Sequence, residues 1–182
     1  IGAMTDWFTL NVQVTVALIG GAIVAFGWFV NAWRDRLAAK RARLERVREF
    51  QAALAAEIEP FVANLANISL EDHLNEIVDN IRADGDYVPF VPRQNHQEIF
   101  RALLPNIHVL PEKIIGPVVQ YYSQLNAIEV LVEDLRSEMF AKLKGDRKEQ
   151  VYADYISLIV NGKELGKKAL SAIRAELGRI HG

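Results

Sequence analysis

The first strong pattern along the chain is an absence of polarity. Val12–Val30 is a run of nineteen residues without a charged side chain, and a basic cluster follows at once: Arg34, Arg36, Lys40, Arg41, Arg43, Arg46 and Arg48. As a helix, such a run spans roughly 28 Å, close to the hydrocarbon thickness of a bilayer. The pattern predicts a single transmembrane helix over 12–30. A cleavable signal peptide fits poorly, because Asp6 precedes the run, no basic residue does, and no A-x-A site follows. The basic cluster places the C-terminal side in the cytoplasm by the positive-inside rule, with residues 1–11 as a short tail outside. Ile1–Ala3 read as residues left by cloning ahead of Met4, the expected native start.

Three features of the span suggest how it sits. Trp7 lies before it, Trp28 near its end and Trp33 just beyond, where amphipathic rings anchor at headgroup depth. Ala17, Gly21 and Ala25 recur every fourth residue, a ridge on which a neighbouring helix can pack closely. No ionisable residue interrupts the run, which argues against a charged ion pathway along this helix. The arginines and Lys40 form a collar that serves either as a topology signal or as an anionic-lipid contact.

Beyond the span nothing breaks a helix before Pro60, and residues 31–59 read as a basic helical stalk. Its apolar positions are Leu37, Leu44, Val47, Leu54, Ile58, Phe61, Leu65 and Ile68. From Leu44 the steps alternate three and four, with Gln51 filling one seam position. The seam either pairs copies of the chain in a coiled coil or packs on later helices of the same chain. Pro60 is expected to kink or end the helix.

Residues 60–182 carry the pattern of a cytoplasmic helical bundle. Ser69-Leu70-Glu71-Asp72 reads as a capped helix start and Asp84-Gly85 as its stop. Asp86–Pro92, with two prolines and alternating apolar residues, reads as an extended loop. Asn95 is expected to cap a short helix over 96–104, ended by Pro105, and Pro111 to begin another. A stripe through Tyr122, Leu125, Ile128, Val132, Leu135, Met139 and Leu143 predicts one long helix. A second, through Val151, Tyr155, Leu158, Leu165, Ala169, Ile173, Leu177 and Ile180, predicts another, with Asn161-Gly162 as its weak point. The expected class is therefore all-α: a transmembrane helix continuing into a stalk and an antiparallel bundle.

Charge sharpens this reading. Residues 34–48 carry a local +5 and residues 49–182 a local −6, an arrangement unlike that of a general nucleic-acid binder. The chain has no cysteine, so neither disulfides nor thiolate metal sites are available to it.

Chemistry is sparse. His73 and Glu76 share a helix face, but no second Glu-x-x-His accompanies them, and His96-Gln97-Glu98 lacks the cysteines that a zinc deaminase needs. No nucleophile elbow, P-loop or dinucleotide fingerprint occurs. No catalytic residue, cofactor or metal is therefore expected, and no small-molecule substrate is evident. Tyr87, Phe90 and Tyr121 are the candidate docking residues, Tyr121 because its neighbour Tyr122 takes the core stripe. Lys142, Lys144, Arg147 and Lys148, and then Lys163, Lys167 and Lys168, form basic clusters that either dock an anionic partner or are simply solvated.

The function these features imply is that of a non-enzymatic interaction protein held in a bacterial inner membrane. Its partners would be the bilayer and a protein, either a second copy or a subunit of a larger membrane complex. The alternative is a membrane-perturbing effector of a defence or toxin system whose anchors cluster.

Overall fold

The structure, a computed structural model, describes the backbone of residues 2–93 and 97–179 and the side chains of 28–93 and 97–179. The described residues are all-α and contain no strand. The helices are α1 (Gly2–Asn64), α2 (Leu70–Ala83), α3 (Glu98–Leu103), α4 (Glu112–Leu135), α5 (Glu138–Ala141) and α6 (Gly145–Arg179), with 3₁₀ turns at Leu65–Asn67 and Leu104–Val109. The chain divides into two compact units, Ile1–Arg46 and Val47–Gly182.

In the second unit, the end of α1 lies against α4 and α6. Val47, Gln51, Leu54, Ile58 and Phe61 are all buried, so this part of the seam is spent within its own chain. Alternating steps of three and four keep one narrow stripe facing the neighbouring helices. Pro60 does not end α1, which runs one turn further to Asn64. Proline there costs the helical bond to the carbonyl four residues back, and the packing of Ile58 and Phe61 on either side of it holds the helix.

Helices α4 and α6 are antiparallel. Tyr121 lies over Gly166, and further along α4 Ile128 lies over Gly162. As numbers rise along α4 they fall along α6. Gly162 and Gly166 let three helices approach closely. A Cβ on Gly166 would stand 2.6 Å from Val62 Cγ2 and 3.1 Å from Tyr121 Cε2. Helix α2 packs antiparallel on the start of α6, tied by a two-pronged Arg82–Glu149 pair (3.1 and 2.8 Å).

Local signals set the boundaries of α2. The Ser69 hydroxyl accepts the Asp72 N–H at 3.2 Å, and the helix stops at Ala83 before Asp84-Gly85. Residues 86–93 belong to no helix, as their two prolines require.

The long helix expected from Tyr122 to Leu143 is broken. It ends at Leu135, and Ser137 caps the separate α5 through the Phe140 N–H (3.2 Å). Met139 is consequently turned out to solvent and Phe140 takes the buried place. The final helix is continuous through Asn161-Gly162, but its buried face meets the expected stripe only at Ala169 and Ile173. The centre is Lys148, Tyr152, Ile156, Ile159, Gly162, Gly166 and Leu170, whereas Val151, Tyr155, Leu158 and Leu165 are only half-buried. Two glycines and a lysine on the central line shift the apolar stripe off the true core face.

Candidate functional site

Helix α1 presents a hydrophobic group beside its basic collar. Trp28 is 79 % exposed and Trp33 59 %, with Phe29 open between them. Arg34, Arg36, Lys40, Arg41, Arg43, Arg46 and Arg48 are all exposed. Indole rings and guanidinium groups at the end of an uncharged run suit a headgroup region, where one end of each side chain is apolar and the other wet. Trp7 and the ridge residues Ala17, Gly21 and Ala25 lie outside the residues whose side chains are described, as does all of the 12–30 run but its last three residues. Among the described residues, no helix is long and apolar enough to cross a membrane.

Among the described residues of the bundle, the most exposed large hydrophobic side chain is Phe90, at 84 %. Its position follows from how the 84–93 segment is held. The Asp84 carboxylate accepts the Asp86 N–H at 2.9 Å, closing a turn. The buried Lys148 ammonium then donates to the Gly85 carbonyl (2.7 Å) and the Tyr87 carbonyl (3.3 Å). Further on, the Arg136 guanidinium donates to the Val91 carbonyl at 2.7 Å. Between these two clamps the chain is extended, and alternate side chains face opposite ways. Pro89 and Val91 are buried while Val88 and Phe90 face solvent.

Of the three expected docking residues, Phe90 alone is exposed. Tyr87 is half-buried against the core. Tyr121 is 1 % exposed and is no docking residue: its ring meets Phe61 edge-on (5.9 Å) and fills the space that Gly166 leaves. The stripe through Tyr122 assigned Tyr121 to the surface because it did not count the glycine opposite.

Two hollows adjoin the Phe90 segment and share Phe61, Pro92, Tyr155 and Ile159. One, of about 240 Å³, is lined by Phe61, Leu125, Ile128, Tyr155 and Ile159 together with Arg93, Glu129 and Glu133. The other, of about 210 Å³, is lined by Pro60, Leu65, Leu70, His73, Phe90 and Tyr152.

Several polar groups in this part of the bundle are engaged in structural bonds. His73 Nε2 lies 3.1 Å from the Tyr152 hydroxyl, and burial, with Tyr155, Tyr87 and Glu76 nearby, pushes that phenol up to about 12. The Glu57 carboxylate accepts the Ile99 N–H (2.7 Å), the Phe100 N–H (3.0 Å) and the Tyr122 hydroxyl. It thereby caps α3 from another helix, and burial together with this hydrogen bond holds the Tyr122 phenol far above its ordinary value. Phe100 stacks flat on Tyr122 at 3.9 Å. Glu57 escaped sequence reasoning because its partners lie about forty and sixty-five residues away.

The basic clusters also resolve into parts. Lys142, Lys144 and Arg147 remain exposed, but Lys148 is wholly buried. Lys163 donates to the Leu65 carbonyl at 2.7 Å, and Lys167 pairs with Glu164 at the same distance. Among the described residues, no group of three or more His, Asp or Glu is placed to hold a metal ion. Asn95, His96 and His181 lie outside the described residues.

Comparison with known proteins gave no match: no family model fits the sequence, and no curated protein or solved structure is significantly similar.

Proposed function

We propose that this protein is a non-enzymatic interaction protein, anchored by Val12–Val30 in a bacterial plasma membrane, with its helical bundle in the cytoplasm as an accessory subunit of a membrane complex. The observation that carries the reading is the junction at residues 28–48. An uncharged nineteen-residue run has one exposed tryptophan, Trp28, near its end and a second, Trp33, just beyond it, and then meets seven exposed basic side chains. That sequence of properties matches the apolar, interfacial and cytoplasmic layers a spanning helix crosses in order. The bundle contributes an exposed phenylalanine on a clamped segment.

The natural absence of cysteine makes the test clean. Single cysteines at Thr5 and at Asp146 would be probed with an impermeant maleimide on intact cells. Labelling at position 5 without disruption, and at position 146 only after it, supports the anchor and its orientation. Release of the chain from membranes by alkaline carbonate would sink the reading.

A further inference from the structure

The seam that α1 buries between Val47 and Phe61 does not start at Val47 in the sequence. Counted back in the same three-four steps, it passes through Leu44, Lys40, Leu37, Trp33 and Val30. Val30 is half-buried, but from Trp33 to Leu44 the seam is uncovered: Leu44 is 44 % exposed, Leu37 40 % and Trp33 59 %.

The charges beside it are sorted. Arg34 and Arg41 flank the seam on one side, Arg36 and Arg43 on the other, and Lys40 sits within it. All are exposed. The stretch's two acids, Asp35 and Glu45, occupy positions turned away from the seam. Flank charges of this kind decide which helix can pair with a heptad seam. A second copy would bring arginine against arginine on both flanks, in either orientation, and lysine into an apolar layer. Such juxtapositions disfavour self-pairing. A membrane surface asks for a broad apolar arc on a 3.6-residue period. Here the apolar residues keep to the narrow seam, and the remaining small positions are alanines.

We propose that residues 33–44 form a docking face for a helix of a different protein, one with an apolar seam and glutamate or aspartate on both flanks. The inference rests on the reading of this chain as an interaction protein and names its partner by chemistry. The basic flanks select the partner, and the seam supplies the contact.

The test uses the full chain in nanodiscs of zwitterionic lipid and two labelled helical peptides with leucine at the seam positions. One carries glutamate on its flanks and the other lysine. The glutamate peptide is expected to bind, more weakly as salt rises, and the lysine peptide not to bind. Leu37→Asp with Leu44→Asp should weaken binding by roughly tenfold or more. Reversing Arg34, Arg36, Arg41 and Arg43 to glutamate should switch the preference to the lysine peptide. These positions are exposed, and circular dichroism verifies that the variants remain folded.

Equal binding of both peptides, or of neither, overturns the proposal. So does a wild-type dimer that the double aspartate variant makes monomeric, which would give the seam to a second copy. Loss of binding when the discs contain phosphatidylglycerol would give it to the lipid surface. If the chain stays out of the discs, the anchoring reading falls, while the peptide assay on the chain in solution still decides the docking face.

Discussion

The Lys148 ammonium lies 2.7 Å from the Gly85 carbonyl oxygen, fully buried. Its second contact, to the Tyr87 carbonyl, lets one side chain from α6 fix the path by which the chain leaves α2. Hydrogen bonds from a charged donor are stronger than neutral ones, and both carbonyls would be left without this donor by its loss. Lys148→Met, which removes the ammonium and keeps most of the apolar stem, should therefore lower unfolding stability by about 2 kcal/mol. Urea denaturation checks this. Arg147→Met, at an exposed neighbour, should shift the midpoint little.

Gly166 and Gly178 offer a contrast on one helix. A methyl group at Gly166 meets Val62 at 2.6 Å, whereas nothing stands within 4 Å of one at Gly178. Overpacking costs about 1–3 kcal/mol, against a helix-propensity gain of at most about 1 kcal/mol. Gly166→Ala should destabilise and Gly178→Ala should be neutral or mildly stabilising. Adding Val62→Ala to Gly166→Ala should recover part of the loss in a double-mutant cycle.

Gln51 is fully buried, and neither side-chain polar atom has a hydrogen-bond partner. An amide desolvated without compensation costs about 1–3 kcal/mol on mutational scales. Gln51→Leu, close in size and apolar, should raise the melting temperature. The buried Tyr121 hydroxyl is also without a partner, so Tyr121→Phe should be neutral or stabilising. A fall in stability for both variants would contradict the packing described.

Alkaline pH gives a signed prediction. The Tyr152 phenol titrates at 10.0 when free and at about 12 in the fold, chiefly through burial. A folded value raised above the unfolded one means that the native state holds the proton longer. Its stabilising share is complete below pH 10, declines above it and is gone once the pH passes about 12. Tyr121, Tyr122 and Tyr155 are shifted in the same direction. Tyr152→Phe should have a shallower decline above pH 10 than the wild type when denaturant midpoints are followed against pH. Parallel curves would remove Tyr152 from this account.

How much of this was legible in the sequence depends on the range of each interaction. Ser69 and Asp84-Gly85 act within a few residues, and they mark both ends of α2. The seam at Val47–Phe61 was visible because its period is local, and the structure adds that its cover comes from α4 and α6. The core line of α6 was hidden because Gly162 and Gly166 matter for the bulk they lack, and Lys148 for carbonyls about sixty residues away. Tyr121 was misplaced for the same reason, since its place depends on a glycine in another helix. The break before α5 did carry a local signal, the cap residue Ser137, which the apolar stripe through Met139 outweighed. Of the candidate site, the positions of the tryptophans and the collar come from the sequence, to which the structure adds their exposure, and the non-helical 86–93 segment was legible from its prolines. That Phe90 would be the outward residue was not, because the clamps from Lys148 and Arg136 come from elsewhere.

The distant cover of the α1 seam also sets an order of events on the ribosome. Synthesis completes Val47–Phe61 long before Tyr121 and Gly166 exist. At typical elongation rates the intervening hundred or so residues take roughly 5–20 s. Throughout that interval a nascent chain displays an uncovered row of valine, leucine, isoleucine and phenylalanine, and it reaches its final state only when the last helix emerges.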